Sequence, residues 1–253
     1  METISWVSGK GGTGKTTLVG NISIILSENN YRITLIDADA GLSCLTKLFH
    51  ISPTRADLID LVNSAKIGVK DALYSSGITN LYIVPSRSRL QALNLSNRNA
   101  LTRIIDSLRG ITDYIMIDAP AGINSTVITL ISVSDSYVIV SEPTPWGFDA
   151  ALKIKILGDK LNVKAKGFVL NDVEGKLNVY RDHISKFERL LEMPCLGIIP
   201  HDKNIKLSSV RLTPYILKHR NDKGSAEMYN IASKILGRDI KAPKRSLIRK
   251  IGL

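Results

Sequence analysis

The sequence predicts an α/β fold, a mostly parallel sheet with helices on both faces. Three observations predict it. Short apolar runs alternate with amphipathic helical stretches almost to the end of the chain, the pattern of successive strand–helix–strand units. Acidic and glycine-containing segments fall just after several of those runs, where a parallel sheet gathers a site at the carboxyl ends of its strands. A glycine-rich loop also joins the first strand directly to the first helix. At 253 residues the chain can bury a full core as one large domain, and its hydrophobic content of 44% is ordinary for a soluble globule.

Taken in order, the first strand is the apolar run at 3–7, and the glycine-rich loop follows it. Residues 16–28 continue as a helix whose N-terminal dipole faces that loop. Strands follow at 33–36 and 81–84, then a helix at 101–108 and a strand at 114–117. The alternation continues with a helix at 125–132, a strand at 137–140, a helix at 150–161 and a strand at 167–170. A helix at 180–191, a strand at 196–199 and a helix at 225–236 complete it. Each strand is a short apolar run and each helix carries apolar residues at helical spacing. After Gly237 the pattern lapses, so residues 1–237 are expected as one domain and 238–253 as a linker and basic amphipathic tail.

The loop reads Gly9-Lys10-Gly11-Gly12-Thr13-Gly14-Lys15-Thr16-Thr17 and satisfies the phosphate-loop pattern G-x-x-x-x-G-K-[ST]. Glycines let consecutive N–H groups curl around phosphate oxygens where a side chain would clash. Lys15 would reach the β- and γ-phosphates and the Thr16 hydroxyl would ligate Mg²⁺. Gly11, Gly12, Thr13, Gly14 and Thr17 complete the expected cradle. Lys10 is the unusual member, because a second cation there cannot easily share its own subunit's phosphates with Lys15.

Two further segments carry acids beside this loop. Asp37 and Asp39, two residues apart in an extended run, would point to one side and hold Mg²⁺ waters or orient an attacking water. The same pair would equally serve to cap the next helix. Asp118 ends the apolar strand 114–117, the form of a Walker B segment whose acid holds a Mg²⁺-bound water. Gly122, four residues on, could bring its N–H near the γ-phosphate and sense its loss.

The run K-G-G-T-G-K-T-T resembles the deviant Walker A motif of the MinD/ParA family of P-loop ATPases, closest to the MinD-like proteins of archaea and bacteria. The likeness extends from residue 4 to about 236, and D-x-P-A-G at 118–122 is similar to the second switch of MinD proteins. The resemblance implies a Mg²⁺-dependent ATPase that dimerises with ATP, with Lys10 reaching the nucleotide of the partner chain. It implies that Asp39 acts on the hydrolytic water while Asp37 supports the metal region. It also implies adenine contacts at Asn171, Pro200 and Asp202, although both segments would equally read as turns. One stretch departs. Residues 141–149, Ser-Glu-Pro-Thr-Pro-Trp-Gly-Phe-Asp, resemble relatives linked to iron–sulfur proteins, which carry an inserted cysteine-rich domain. Two scattered cysteines, Cys44 and Cys195, cannot hold a cluster in that manner.

The net charge of +11 is uneven. Residues 1–150 hold 12 Lys/Arg against 13 Asp/Glu, whereas 151–253 hold 22 against 10. Such asymmetry suggests an anionic partner. In the tail, Leu247, Ile248 and Ile251 would share one helical face, with Arg249 and Lys250 largely around the other. That pattern suits an anionic membrane surface; nonspecific DNA would use the same charges without the apolar stripe, and the segment would equally pack on its own domain. No apolar run approaches the roughly 18 residues that span a bilayer. The chain enters strand and loop at once, so no signal peptide is expected. The expected place is the cytoplasm, with peripheral attachment at the inner face of the cell membrane.

The expected function is spatial organisation, of the division site or a cargo, by an ATP-switched homodimer that attaches reversibly to a surface. An activating protein is expected too, though the residues do not identify it. Three rivals share these residues: a partition ATPase on nonspecific DNA, an ATP-gated adaptor for metal-cofactor delivery, and a small-molecule kinase. The low cysteine count disfavours the adaptor, and Lys10 with the absence of an evident substrate lid disfavours the kinase.

Overall fold

A computed structural model describes residues 1–88, 95–175 and 180–240, the side chains of 181–183 excepted. Its strands are β1 (Glu2–Ser8), β2 (Ile33–Asp37), β3 (Tyr74–Ser75), β4 (Leu81–Val84), β5 (Tyr114–Ala121), β6 (Ser136–Ser141), β7 (Lys164–Val173) and β8 (Cys195–Pro200). They form a single sheet in the order β3-β4-β2-β5-β1-β6-β7-β8. Every pairing is parallel except that of β3 with β4 at the edge.

Alternation of side chains across the sheet builds two cores. Ile4, Trp6, Leu35, Met116 and Val138 face one side, under α1 (Lys15–Glu28), α2 (Cys44–Leu48) and α9 (Lys223–Leu236). Val7, Ile36, Ile117 and Ile139 face the other, under α3 (Leu58–Asn63), α4 (Arg98–Ser107), α5 (Ser125–Ser132), α6 (Pro145–Lys160) and α7 (Arg181–Leu191). Strands buried on both faces read as continuous apolar runs, which is why the sequence exposes them. The remaining helix, α8 (Lys203–Val210), lies after β8 at the site end of the sheet.

β1 is central, between β5 and β6. The chain leaves it, crosses through α1, and enters β2 on the far side of β5. The loop after β1 therefore sits where the strand order reverses, with the ends of β5 and β6 on either hand, the place such sheets bind ligands.

Several elements differ from expectation. The helices at 44–48, 58–63 and 203–210 are too short for a helical period to declare itself. α6 starts at Pro145 rather than 150, because Thr144 caps it through the Gly147 N–H at 3.0 Å and proline suits the first helical turn. β2 stops at Asp37, so Asp39 lies in the loop beyond and the two acids do not share one strand face. β7 continues to Val173, placing Asn171 within the strand rather than after it. α9 ends at Gly237, whose φ of 66° is the left-handed turn that closes helices. Among the described residues no helix is long and apolar enough to cross a membrane. The expected tail contacts Leu247, Ile248, Arg249, Lys250 and Ile251 lie outside the described residues.

Candidate nucleotide site

The loop from Gly9 to Gly14 turns sharply twice, at Gly12 (φ 81°) and at Gly14 (φ 83°), conformations that side chains rarely adopt. Gly14 is the N-cap of α1 and has no side chain to offer, so the first N–H groups of that helix point outward. They open on a cavity of about 560 Å³. Gly11, Gly12, Thr13, Gly14, Lys15, Thr16 and Thr17 line it, together with Lys10, Asp39, Asn171, Pro200 and Asp202.

Lys15 is buried, and its Nζ lies 2.5 Å from Oδ1 of the fully buried Asp118. The Thr16 hydroxyl donates to Oδ2 of the same carboxylate at 2.7 Å. Asp37 is in register with Asp118 on the adjacent strand. Burial above all, then the charge of Asp118, pushes the Asp37 carboxyl up to about 7, against the opposing bonds from Thr46. Those bonds are the Thr46 hydroxyl at 2.6 Å and its N–H at 2.8 Å, both donated to Oδ2. The buried Lys15 ammonium pairs with Asp118, and the carboxylates of Asp118 and Asp37 with the Thr16 hydroxyl form a hard oxygen set that fits Mg²⁺. Among the described residues no group of three or more His, Cys, Asp or Glu could hold a metal. A cation here would therefore draw its other ligands from phosphate and water.

The switch residues are arranged differently from one another. Asp39 sits in a turn, its Oδ1 accepting the Leu42 N–H at 3.3 Å, and it faces the cavity. The Gly122 N–H is not directed at a phosphate position. It donates to the Ser8 carbonyl at 2.9 Å, because the pairing of β1 with β5 runs on to Ser8 and Ala121. Sensing through this N–H would require that bond to break. Lys10 is paired within its own chain, Nζ to Glu142 Oε2 at 2.5 Å.

On the base side, Asn171 is committed to the loop, its Nδ2 donating to the Thr13 carbonyl at 2.8 Å. Among the described residues no hydrogen bond is donated to its Oδ1. Asp202 lines the cavity, but its carboxylate caps α8 through the Asn204 N–H at 2.7 Å and accepts the Tyr215 hydroxyl at 2.8 Å. Asp202 thus shapes the wall, and direct base contact would cost it those bonds. Pro200 closes β8 beside it. Sequence reasoning missed the outer wall, Ile205, Ser209, Val210 and Leu212, and the contact of Ser209 with Thr17 at 3.0 Å. Val210 is 79% exposed, an apolar side chain at the cavity lip and so a signal in retrospect. Thr46 and Glu142 were missed as partners of Asp37 and Lys10.

A protein-family model described as an AAA domain matches residues 1–164. The chain is similar to the septum site-determining protein MinD of Helicobacter pylori, 29% identical over 248 residues that cover 94% of this chain and 91% of that protein. Among solved structures it is similar to the cell division ATPase MinD of Pyrococcus furiosus, with a TM-score of 0.82, 27% identity, and coverage of 93% of this chain and 98% of that one. It is also similar to MinD of Pyrococcus horikoshii complexed with Mg-ADP, with a TM-score of 0.81, 25% identity, and coverage of 92% and 95%.

Proposed function

The chain belongs to the MinD/ParA family of P-loop ATPases, and on that premise we propose that it is an ATP-switched dimer that organises position in the cell through reversible attachment to an anionic surface. The observation that supports this most is the pair of unlike lysines at one phosphate loop. Lys15 is 6% exposed and paired with a buried acid, whereas Lys10 is 41% exposed at the cavity mouth. A buried cation of the first kind serves its own nucleotide. A cation of the second kind, on a flexible stem at the rim, can serve a nucleotide presented by a second chain.

Within the site, Lys15 and the loop amides would stabilise the charge that develops during phosphoryl transfer. When bound, Mg²⁺ would supply further charge neutralisation at the phosphates, held through Thr16 and Asp118 with Asp37 behind them. Asp39 would orient the attacking water, and Lys10 would add its charge from the opposite subunit. For the surface, the excess of 22 basic over 10 acidic residues in 151–253 supports an anionic partner. The spacing of Leu247, Ile248 and Ile251 in the sequence favours a membrane over DNA.

The test is molecular mass by light scattering with a nonhydrolysable ATP analogue and with ADP, alongside hydrolysis per chain as protein concentration is raised. The expected result is a dimer with the analogue alone and a specific activity that climbs with concentration. A chain that binds the analogue, stays single and hydrolyses ATP at a concentration-independent rate would overturn the dimer.

A further inference from the structure

The ion pair between Lys10 and Glu142 joins two rigidly held backbones. The Ser8 hydroxyl donates to the Lys10 carbonyl at 3.0 Å. Gly9 is pressed against α6 so closely that a Cβ there would lie 2.3 Å from that of Ala150. On the other side, the Glu142 carbonyl accepts the Thr144 N–H at 2.8 Å and the Ser141 hydroxyl at 3.2 Å. A Cβ on Gly147 would meet that carbonyl at 2.4 Å, so the chain turns tightly there into the capped start of α6. The two side chains themselves are partly exposed and can rearrange.

A carboxylate and a phosphate compete for an ammonium by the same chemistry, as anionic oxygen acceptors, with the phosphate carrying more oxygens and more charge. We propose that Glu142 is the intramolecular competitor of phosphate for Lys10, holding it at the rim until a triphosphate in a second chain draws it across, so that Glu142 sets the threshold that nucleotide-driven pairing must overcome. This rests on the reading that Lys10 acts across a dimer. The energetics suit a threshold rather than a lock. Lys10 is 41% exposed and Glu142 28%, and exposed pairs hold weakly enough for a partner's phosphate to displace them. Two such pairs must open for each dimer formed.

The experiment is sedimentation velocity with Mg²⁺ and a nonhydrolysable ATP analogue, and in parallel with ADP, on wild type, Glu142→Gln, Glu142→Asp and Lys10→Ala. Glu142→Gln removes the charge at nearly constant shape. Its analogue-bound dimer should be about two- to thirty-fold tighter than wild type, from two weak pairs no longer broken. It should also form some dimer with ADP at concentrations where wild type stays single, and Glu142→Asp should fall between the two. Raised salt should narrow the gap, because it screens an exposed pair. A Glu142→Gln dimer as tight as wild type or weaker, with Lys10→Ala unable to pair, overturns the competitor role and leaves the dimer reading intact. A wild type that stays single with the analogue, or a Lys10→Ala that pairs normally, overturns the reading beneath it.

Discussion

The Asp37 carboxyl is pushed up to about 7 by burial and by Asp118, while in an unfolded chain it would titrate near 3.9. The native state therefore holds this proton more tightly than the unfolded state does. Its contribution to stability is full below about pH 4 and is lost as pH rises through about 7. Without nucleotide and in chelator, urea unfolding of the wild type should show a loss of stability between about pH 4 and 7 that Asp37→Asn lacks. Parallel pH profiles would count against the assignment, and added Mg²⁺ should offset the loss at high pH by favouring the ionised carboxylate. Lys15→Ala strands Asp118, which is fully buried. It should abolish tight nucleotide binding and lower stability by about 3 kcal/mol, the usual scale for breaking a buried pair. Asp39→Ala, whose carboxylate accepts one long bond, from Leu42, among the described residues, should keep nucleotide affinity and lose hydrolysis, measured as phosphate release. At this scale the glycines, Lys15 and Asp118 were legible because a phosphate loop dictates residue types at fixed spacing. Glu142 was visible only as a departure, since its partner lies 132 residues away and pairing at that distance leaves no local trace.

Among the elements, β1, the loop and α1 act as one unit, braced from behind by β7. A Cβ at Gly14 would meet Asn171 Nδ2 at 2.2 Å, and Gly14 also has a φ of 83°. Gly14→Ala should therefore push Asn171 off the Thr13 carbonyl and weaken nucleotide binding more than it weakens the fold, a split that titration calorimetry and thermal melting would resolve. At the start of α6, Thr144→Ala removes the bond to the Gly147 N–H and should cost about 1 kcal/mol in urea unfolding. Elements of ordinary length were readable from apolar periodicity, and α5 matches its expected span of 125–132. The short α2, α3 and α8 were not, because their ends are set by local bonds rather than by a repeating face. α3 depends on Asp57 and Asp60, each accepting the other's N–H, at 3.0 and 3.1 Å. Missing α2 meant missing Thr46, which anchors Asp37 from that helix.

Across the whole molecule, alternation of strands and helices announces a parallel sheet but not its order, because placing β5 between β2 and β1 is a matter of long-range pairing. The charge distribution is legible in full, and it bears on the surface the molecule meets. The last twenty residues, 234–253, carry 7 basic against 1 acidic residue, and their sequence interleaves Leu247, Ile248 and Ile251 with Arg249 and Lys250. One such short segment has too few apolar anchors to offset its ordering cost, so a single chain should bind a membrane poorly. Two segments carried by one dimer bind through raised effective concentration, which would make attachment depend on ATP. Removing residues 244–253 should therefore abolish co-sedimentation with anionic liposomes while leaving nucleotide affinity unchanged. Ile248→Glu should do nearly the same, by placing a charge in the apolar stripe at unchanged length. If the surface is duplex DNA instead, Ile248→Glu should matter little, whereas Arg249→Glu should weaken binding and flatten its dependence on salt. Comparing those two substitutions on both surfaces, with ATP and with ADP, decides between them. Undiminished liposome binding by the truncated chain would remove the anchor, and tight ATP-dependent DNA binding would put a partition role in its place.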